Sequence, residues 1–296
     1  MDLLSRVARD VKSSLGMDEA GSDSSTSTAK QILVFGSSGT GKTSFVNALT
    51  GENDATGNGA SGVTLKSNEV SISHAGTDYR IIDTVGLNEG EGGGVSGSEA
   101  VKSLVQLLKR TEGGLNLLVM VVRHGRILSQ TSSNYELFVE HMTSKAVPLV
   151  VVVTHCERER DMQAWVEENR DNFLTQGIDA KKFLGTTFAT PIEGIDNVEA
   201  MTRKVRQSVD LSWGAIRAYS TARRVDFMRM DGGFVKMFRR MYNSVARHFS
   251  RVVGGSNAMW VSNDFVDLIQ RVGDIPDRAA AVKVAKKALM DVDGGI

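Results

Sequence analysis

The chain has 296 residues, 41% of them hydrophobic and 24% charged, which is ordinary for a globular protein and enough for a large core. Thirty-five Lys and Arg balance thirty-five Asp and Glu, so no global charge draws it to nucleic acid. The single cysteine, Cys156, excludes an internal disulfide and any multi-cysteine metal site. Such thiol usage fits a reducing, cytoplasmic setting. No apolar run reaches the ~20 residues that a membrane-spanning helix needs, and charges interrupt the N-terminal apolar residues as they would not in a secretory leader.

In chain order, Leu3, Leu4, Val7, Val11 and Leu15 recur at intervals of three and four and predict a helix over residues 1–16. The polar stretch 17–29 reads as a flexible linker. "QILVF" is a buried strand, and "KTSFVNALTG" a helix stopped at Gly51. The Gly/Asn-rich stretch 51–63 predicts a loop. "EVSISHA" and "DYRIIDT" flank a turn and predict a hairpin. After a second Gly-rich loop come the helix "AVKSLVQLLKR", the strand "LNLLVMVV", the helix "SSNYELFVEHMTS" and the strand "PLVVVVT". The series closes with the helix "DMQAWVEENRDNFL", the strand "KFLGTTFA" and the helix "NVEAMTRKVRQSV". Continuous Val/Leu strands separated by helices predict a three-layer α/β domain around a mainly parallel sheet. This domain is expected over 30–212, after a helix and linker at 1–29 and before a helical region at 213–296.

"GSSGTGKTS" matches G-x-x-x-x-G-K-[ST] in full at Gly36, Gly41, Lys42 and Thr43. The glycines let the backbone of Gly36, Ser37, Ser38, Gly39, Thr40 and Gly41 curl so that its amides face phosphate oxygens. The helix through Lys42, Thr43 and Ser44 adds the positive end of its dipole. Lys42 is expected on the outer phosphates and Thr43 on Mg²⁺, a hard cation that takes oxygen ligands. Asp83 ends a strand and opens the D-x-x-G "DTVG", so its carboxylate can hold the metal while the Gly86 amide meets the γ-phosphate. Thr64, at the end of the 51–63 loop, is the candidate for Mg²⁺ and γ-phosphate, with Thr56 as the alternative. At the end of the later strand, Thr154-His155-Cys156-Glu157 stands where a guanine-reading [NT]-K-x-D would lie. His155 can stack on the base, and Glu157 replaces Asp with one more methylene.

Together, "GSSGTGKTSFVNALTG", "GVTLKSNEV", "IIDTVGL", "LLVMVVRHGRI" and "VVVVTHCE" resemble the septin-related branch of P-loop GTPases. That branch contains the immunity-associated (avirulence-induced, AIG-type) GTPases and the chloroplast outer-envelope import receptors, which carry a Thr-His pair like Thr154-His155. The resemblance spans roughly residues 30–210. It implies a Mg²⁺-dependent guanine-nucleotide switch binding GTP and GDP, with weak intrinsic hydrolysis, dimerisation across the nucleotide face or stimulation by an activating partner, and peripheral membrane association in many members. Glu157 departs from the common Asp. The last base-contacting motif is expected near Phe188-Ala189-Thr190.

Many GTPases place a glutamine after D-x-x-G to orient the attacking water. Here that residue is Leu87, which leaves Asn88, Glu89, a backbone carbonyl or a partner's Arg123 to act. A nucleotide-locked scaffold with vestigial hydrolysis and a P-loop ATPase are the competing readings. Between Arg217 and Arg251, nine Lys/Arg and two Asp give a local charge of 9 − 2 = +7 beside a Phe/Met-rich pattern. That suits a helix packed on the main domain, or contact with an anionic membrane or an acidic partner. Nucleic acid is not expected.

Overall fold

The computed structural model describes residues 29–51, 68–84, 97–191, 197–230 and 277–290, with short pieces at 236–238, 240–241, 266–267 and 269–270. The expectations for the helix 1–16 and its linker, and for the two Gly-rich loops, lie outside these residues. Six strands form one sheet: β1 (Lys30–Phe35), β2 (Asn68–His74), β3 (Thr77–Asp83), β4 (Leu117–Arg123), β5 (Leu149–Thr154) and β6 (Lys182–Gly185). Their spatial order is β2-β3-β1-β4-β5-β6. Only the β2–β3 hairpin is antiparallel, and the other pairings run parallel. Parallel strands need crossovers, and the helices between them supply these and cover both faces.

One face is covered by α1 (Lys42–Thr50) and α5 (Val198–Tyr219), which bury Phe45, Leu49, Val209 and Trp213 against Ile32, Val34 and Val119. The other is covered by α2 (Gly97–Arg110), α3 (Ser129–Tyr135) with its π-helical continuation Glu136–Met142, and α4 (Met162–Thr175). Phe227, Met228, Met237, Phe238 and Met241 bury into this second cluster, as do Ala281 and Ala285 of α6 (Arg278–Met290). These described residues after α5 thus pack on the sheet domain.

Two elements differ from expectation. β6 stops at Gly185, where a Cβ would lie 1.9 Å from the Met162 carbonyl oxygen. Beyond it, the Thr186 carbonyl accepts from Cys156 N–H, and Thr187 N–H donates to Ser208 Oγ instead of extending the strand. The closing helix runs on to Tyr219, and Trp213 is buried within it. The expected boundary between 212 and 213 therefore falls inside a helix.

The segment after α5 then straps across the start of β4. Leu115 and Val225 exchange both backbone hydrogen bonds, and Thr221 N–H donates to the Asn116 carbonyl. Asn116 Oδ1 accepts from Gln31 N–H at 2.8 Å, and its Nδ2 donates to the Thr221 carbonyl at 2.9 Å. Arg224 donates to the Ala29 carbonyl, 195 residues away, at 2.7 Å.

Candidate functional site

Helical crossovers lead from β1 to β3 on one side and onward to β4 on the other, which opens a crevice at the carboxyl end of β1. That is where doubly wound sheets bind ligands. The loop Gly36–Gly41 sits there. Gly36 adopts φ +150°, and a Cβ on it would meet the Val121 carbonyl oxygen at 2.2 Å, so no side chain fits. Gly41 is left-handed at φ +88° and gives α1 no side-chain cap, which leaves the first-turn amides of that helix to other acceptors.

Lys42 is buried, and its ammonium donates to the Gly36 and Ser37 carbonyls, each at 2.8 Å. It folds back over the loop that precedes it. Thr40 Oγ1 donates to the Ser37 carbonyl at 2.8 Å. Ser38 and Gly39 are exposed at the tip, and Ser44 is half-buried in the first turn of α1. Asn134, only 1% exposed on α3, donates to Ser37 Oγ at 3.0 Å. Sequence reading did not single out Asn134, because one polar residue within a helix carries no local signature.

Thr43 Oγ1 donates to Asp83 Oδ2 at 3.4 Å, a long contact. Asp83 is buried, and its other oxygen, Oδ1, has no hydrogen-bond partner. Burial pushes its carboxyl up to about 6, against the opposing pull of Lys42 and the Thr43 hydroxyl. A buried carboxylate oxygen without a donor, beside a hydroxyl, fits a hard divalent cation that keeps several waters and takes phosphate oxygens. Among the described residues no group of three or more His, Cys, Asp or Glu could hold a metal. Oxygen donors such as the Thr43 hydroxyl and the Asp83 carboxylate suit a hard cation of the Mg²⁺ kind. Thr64 and Gly86, expected on the γ-phosphate side, lie outside the described residues.

The third wall is the end of β5. Thr154 Oγ1 donates to the Thr40 carbonyl at 2.6 Å and lies 2.9 Å from His155 Nδ1, fastening the strand end to the phosphate loop. His155 takes a left-handed φ of 62° and brings its ring edge to Gly41. Burial first, then Arg123 and His124, hold its pKa below the usual histidine value, with Glu157 opposing. Cys156 is fully buried, and burial raises its thiol to about 11, so it packs and does not react.

The Glu157 carboxylate accepts from the buried Thr187 hydroxyl at 3.0 Å. Lys204 of α5 donates to the backbone carbonyls of Glu157 and Glu159 at 2.7 and 2.6 Å. The segment just before Phe188-Ala189-Thr190 is thereby joined to the Glu157 loop. Neither Thr187 nor Lys204 was expected from sequence; Thr187 lay one residue from the motif searched for. Arg123 is exposed at the end of β4, and His124 lies 2.9 Å from Glu159 and packs its ring against Trp165 at 4.2 Å, tilted by 42°.

Among known proteins, residues 31–155 match the family model described as 50S ribosome-binding GTPase. The GTPase Der of Staphylococcus haemolyticus is 29% identical over 152 residues, 51% of this chain. The matched part is 32% of that relative, so the chain spans about a third of its length. Toc33 from Arabidopsis thaliana in complex with Mg²⁺ and GMPPNP covers 70% of this chain and 94% of its own, at 16% identity and TM-score 0.40. Era in complex with MgGDPNP and a segment of 16S ribosomal RNA covers 66% of this chain and 58% of its own, at 14% identity and TM-score 0.49. The architecture built from β1 to α5 is the α/β P-loop GTPase fold, and within it residues 31–155 are similar to the 50S ribosome-binding GTPase family model.

Proposed function

We propose that the chain is a guanine-nucleotide switch that binds GTP with Mg²⁺, hydrolyses it slowly, and is stimulated by a second copy or a partner protein. One observation carries this reading. Lys42, the Thr43–Asp83 pair and the Thr154–Glu157 loop come from separate strand ends and meet at the carboxyl end of the sheet. In the proposed complex, Lys42 exchanges its loop carbonyls for the outer phosphates. The uncapped amides of α1 take phosphate oxygens. Bound Mg²⁺ would neutralise charge across those phosphates, and Thr43 and Asp83 are the residues that would hold it. Thr64 and the Gly86 amide complete the γ-phosphate side, as the resemblance to the septin-related branch implies.

Glu157, steadied by Thr187, accepts from N1 and the 2-amino group of guanine, and His155 lies along the base. Adenine has no donor at N1, so the carboxylate would face a lone pair. Leaving a buried polar group unpaired rejects an analogue by up to about 10⁴-fold. Because Leu87 cannot orient water, the hydrolytic water is held by Asn88 or Glu89, or the charge is met by Arg123 from a second copy.

The test is to identify the nucleotide that copurifies with the protein, then to compete GTP, ATP and xanthosine triphosphate against it. ATP binding as tight as GTP sinks the guanine reading. Leu87 also favours a second reading, a nucleotide-locked scaffold with vestigial hydrolysis. Turnover per molecule that stays negligible as protein concentration rises supports the scaffold over the switch.

A further inference from the structure

Among the described residues the sheet ends at β6, whose outer edge has no neighbouring strand. Beside it lies a groove of about 650 Å³ between β6 and α5. Its floor is apolar, formed by Leu184, Leu211, Ala215 and Tyr219. Its rim carries Lys182, Arg203 and Arg206 against Asp210, a surplus of two positive charges. The α5 residues that line it recur at intervals of three and four from Arg203 to Tyr219, a continuous stripe along ~24 Å of helix at 1.5 Å per residue. A helix packs into such a stripe by setting its own ridge of side chains in the groove.

We propose that this groove is the docking site of the chain's own residues 1–16. Read as a helix, these carry an apolar stripe at Leu4, Val7, Val11 and Leu15, and sixteen residues also extend ~24 Å. The chain enters the sheet at the correct end. Arg224 holds the Ala29 carbonyl, and Thr221 is tied to Asn116, so β1 begins beside the Tyr219 end of the groove. From β1 to β6 there are three strand spacings, ~14 Å in all. Thirteen residues can span up to ~45 Å when extended, so residues 17–29 are long enough to cross that distance. Those residues hold Asp18, Glu19 and Asp23 and no Lys or Arg, and so bring three carboxylates to the basic rim.

The test is crosslinking in the full-length chain, whose one native thiol, Cys156, is buried. Leu15→Cys, which the entry at the Tyr219 end places beside Ala218, is combined with Ala218→Cys in the groove, or with Arg170→Cys, an exposed position on α4 across the sheet. Mild oxidation is expected to give an intramolecular disulfide with Ala218→Cys and at least about tenfold less with Arg170→Cys. Adding Leu4→Asp and Val11→Asp to the Ala218→Cys protein should lower the yield by a similar factor while GTP binding stays unchanged. Equal yields at the two positions, or no crosslink at either, overturn the proposal. Disulfide-linked dimers through Ala218→Cys overturn it in favour of a second copy in the groove. Vesicles of phosphatidylcholine and phosphatidylserine that abolish the crosslink while sedimenting the protein overturn it in favour of a lipid surface for residues 1–16.

Discussion

At the scale of single residues, the site is organised around backbone carbonyls as much as side chains. Lys42 donates to two of them and is the ammonium that the proposed complex turns to the outer phosphates. Lys42→Ala is expected to abolish tight GTP binding in equilibrium titration, and wild-type affinity in that variant would remove the phosphate-loop assignment. Glu157→Ala should weaken GTP by orders of magnitude and leave ATP nearly unchanged, because a hydrogen bond to a charged group contributes about 1.5–3 kcal/mol. Thr187→Val keeps the shape and removes only the hydroxyl that steadies Glu157. Competition binding should show a smaller loss of GTP over xanthosine triphosphate discrimination, within about tenfold. If Thr187→Val weakens all three nucleotides equally, the hydroxyl supports the fold and not the base.

At the scale of elements, β2 and α5 meet through His74, whose ring stacks on Trp213 at 4.0 Å with an 8° tilt. Burial first, then Arg217, hold His74 below its usual value of 6.5, with Asp210 opposing. The folded chain therefore binds fewer protons here than the unfolded chain. Stability is full above about pH 6.5 and falls as pH drops through that value. His74→Phe keeps a stacked ring and removes the titration. Its urea midpoint should change less between pH 7.5 and 5.5 than the wild type's, and an identical change in both would exclude His74 as the cause. The same pair of elements shows what sequence could and could not disclose. The hairpin β2–β3 was legible because alternation and a turn signal are local. The full length of α5 was not, because Ser212, Trp213 and Gly214 interrupt a good helical pattern and burial of Trp213 overrides weak propensity. The phosphate loop was legible because its geometry demands particular residues at fixed spacing. Asn134, Thr187 and Lys204 reach the site from distant elements, and no local pattern marks such partners.

At the scale of the whole molecule, the sheet domain and the residues after it share one hydrophobic cluster. A chain ending at 212 loses Trp213 and the strap, and removing a buried Trp side chain alone costs about 3–5 kcal/mol. Against a typical stability of about 5–15 kcal/mol, such a truncation should not melt cooperatively, whereas the full chain, which retains the strap and the buried residues beyond it, should. Thermal unfolding followed by circular dichroism separates the two, and matching cooperative transitions would mean that the strap is dispensable. The strap also bears on synthesis. The bond from Arg224 to Ala29 joins residues 195 apart, so the first strand must wait for almost the whole domain to leave the ribosome. At about 5–20 residues per second, that wait is on the order of 10–40 s, during which the buried edge at Gln31 and Asn116 is open to chaperones or to a neighbouring nascent chain.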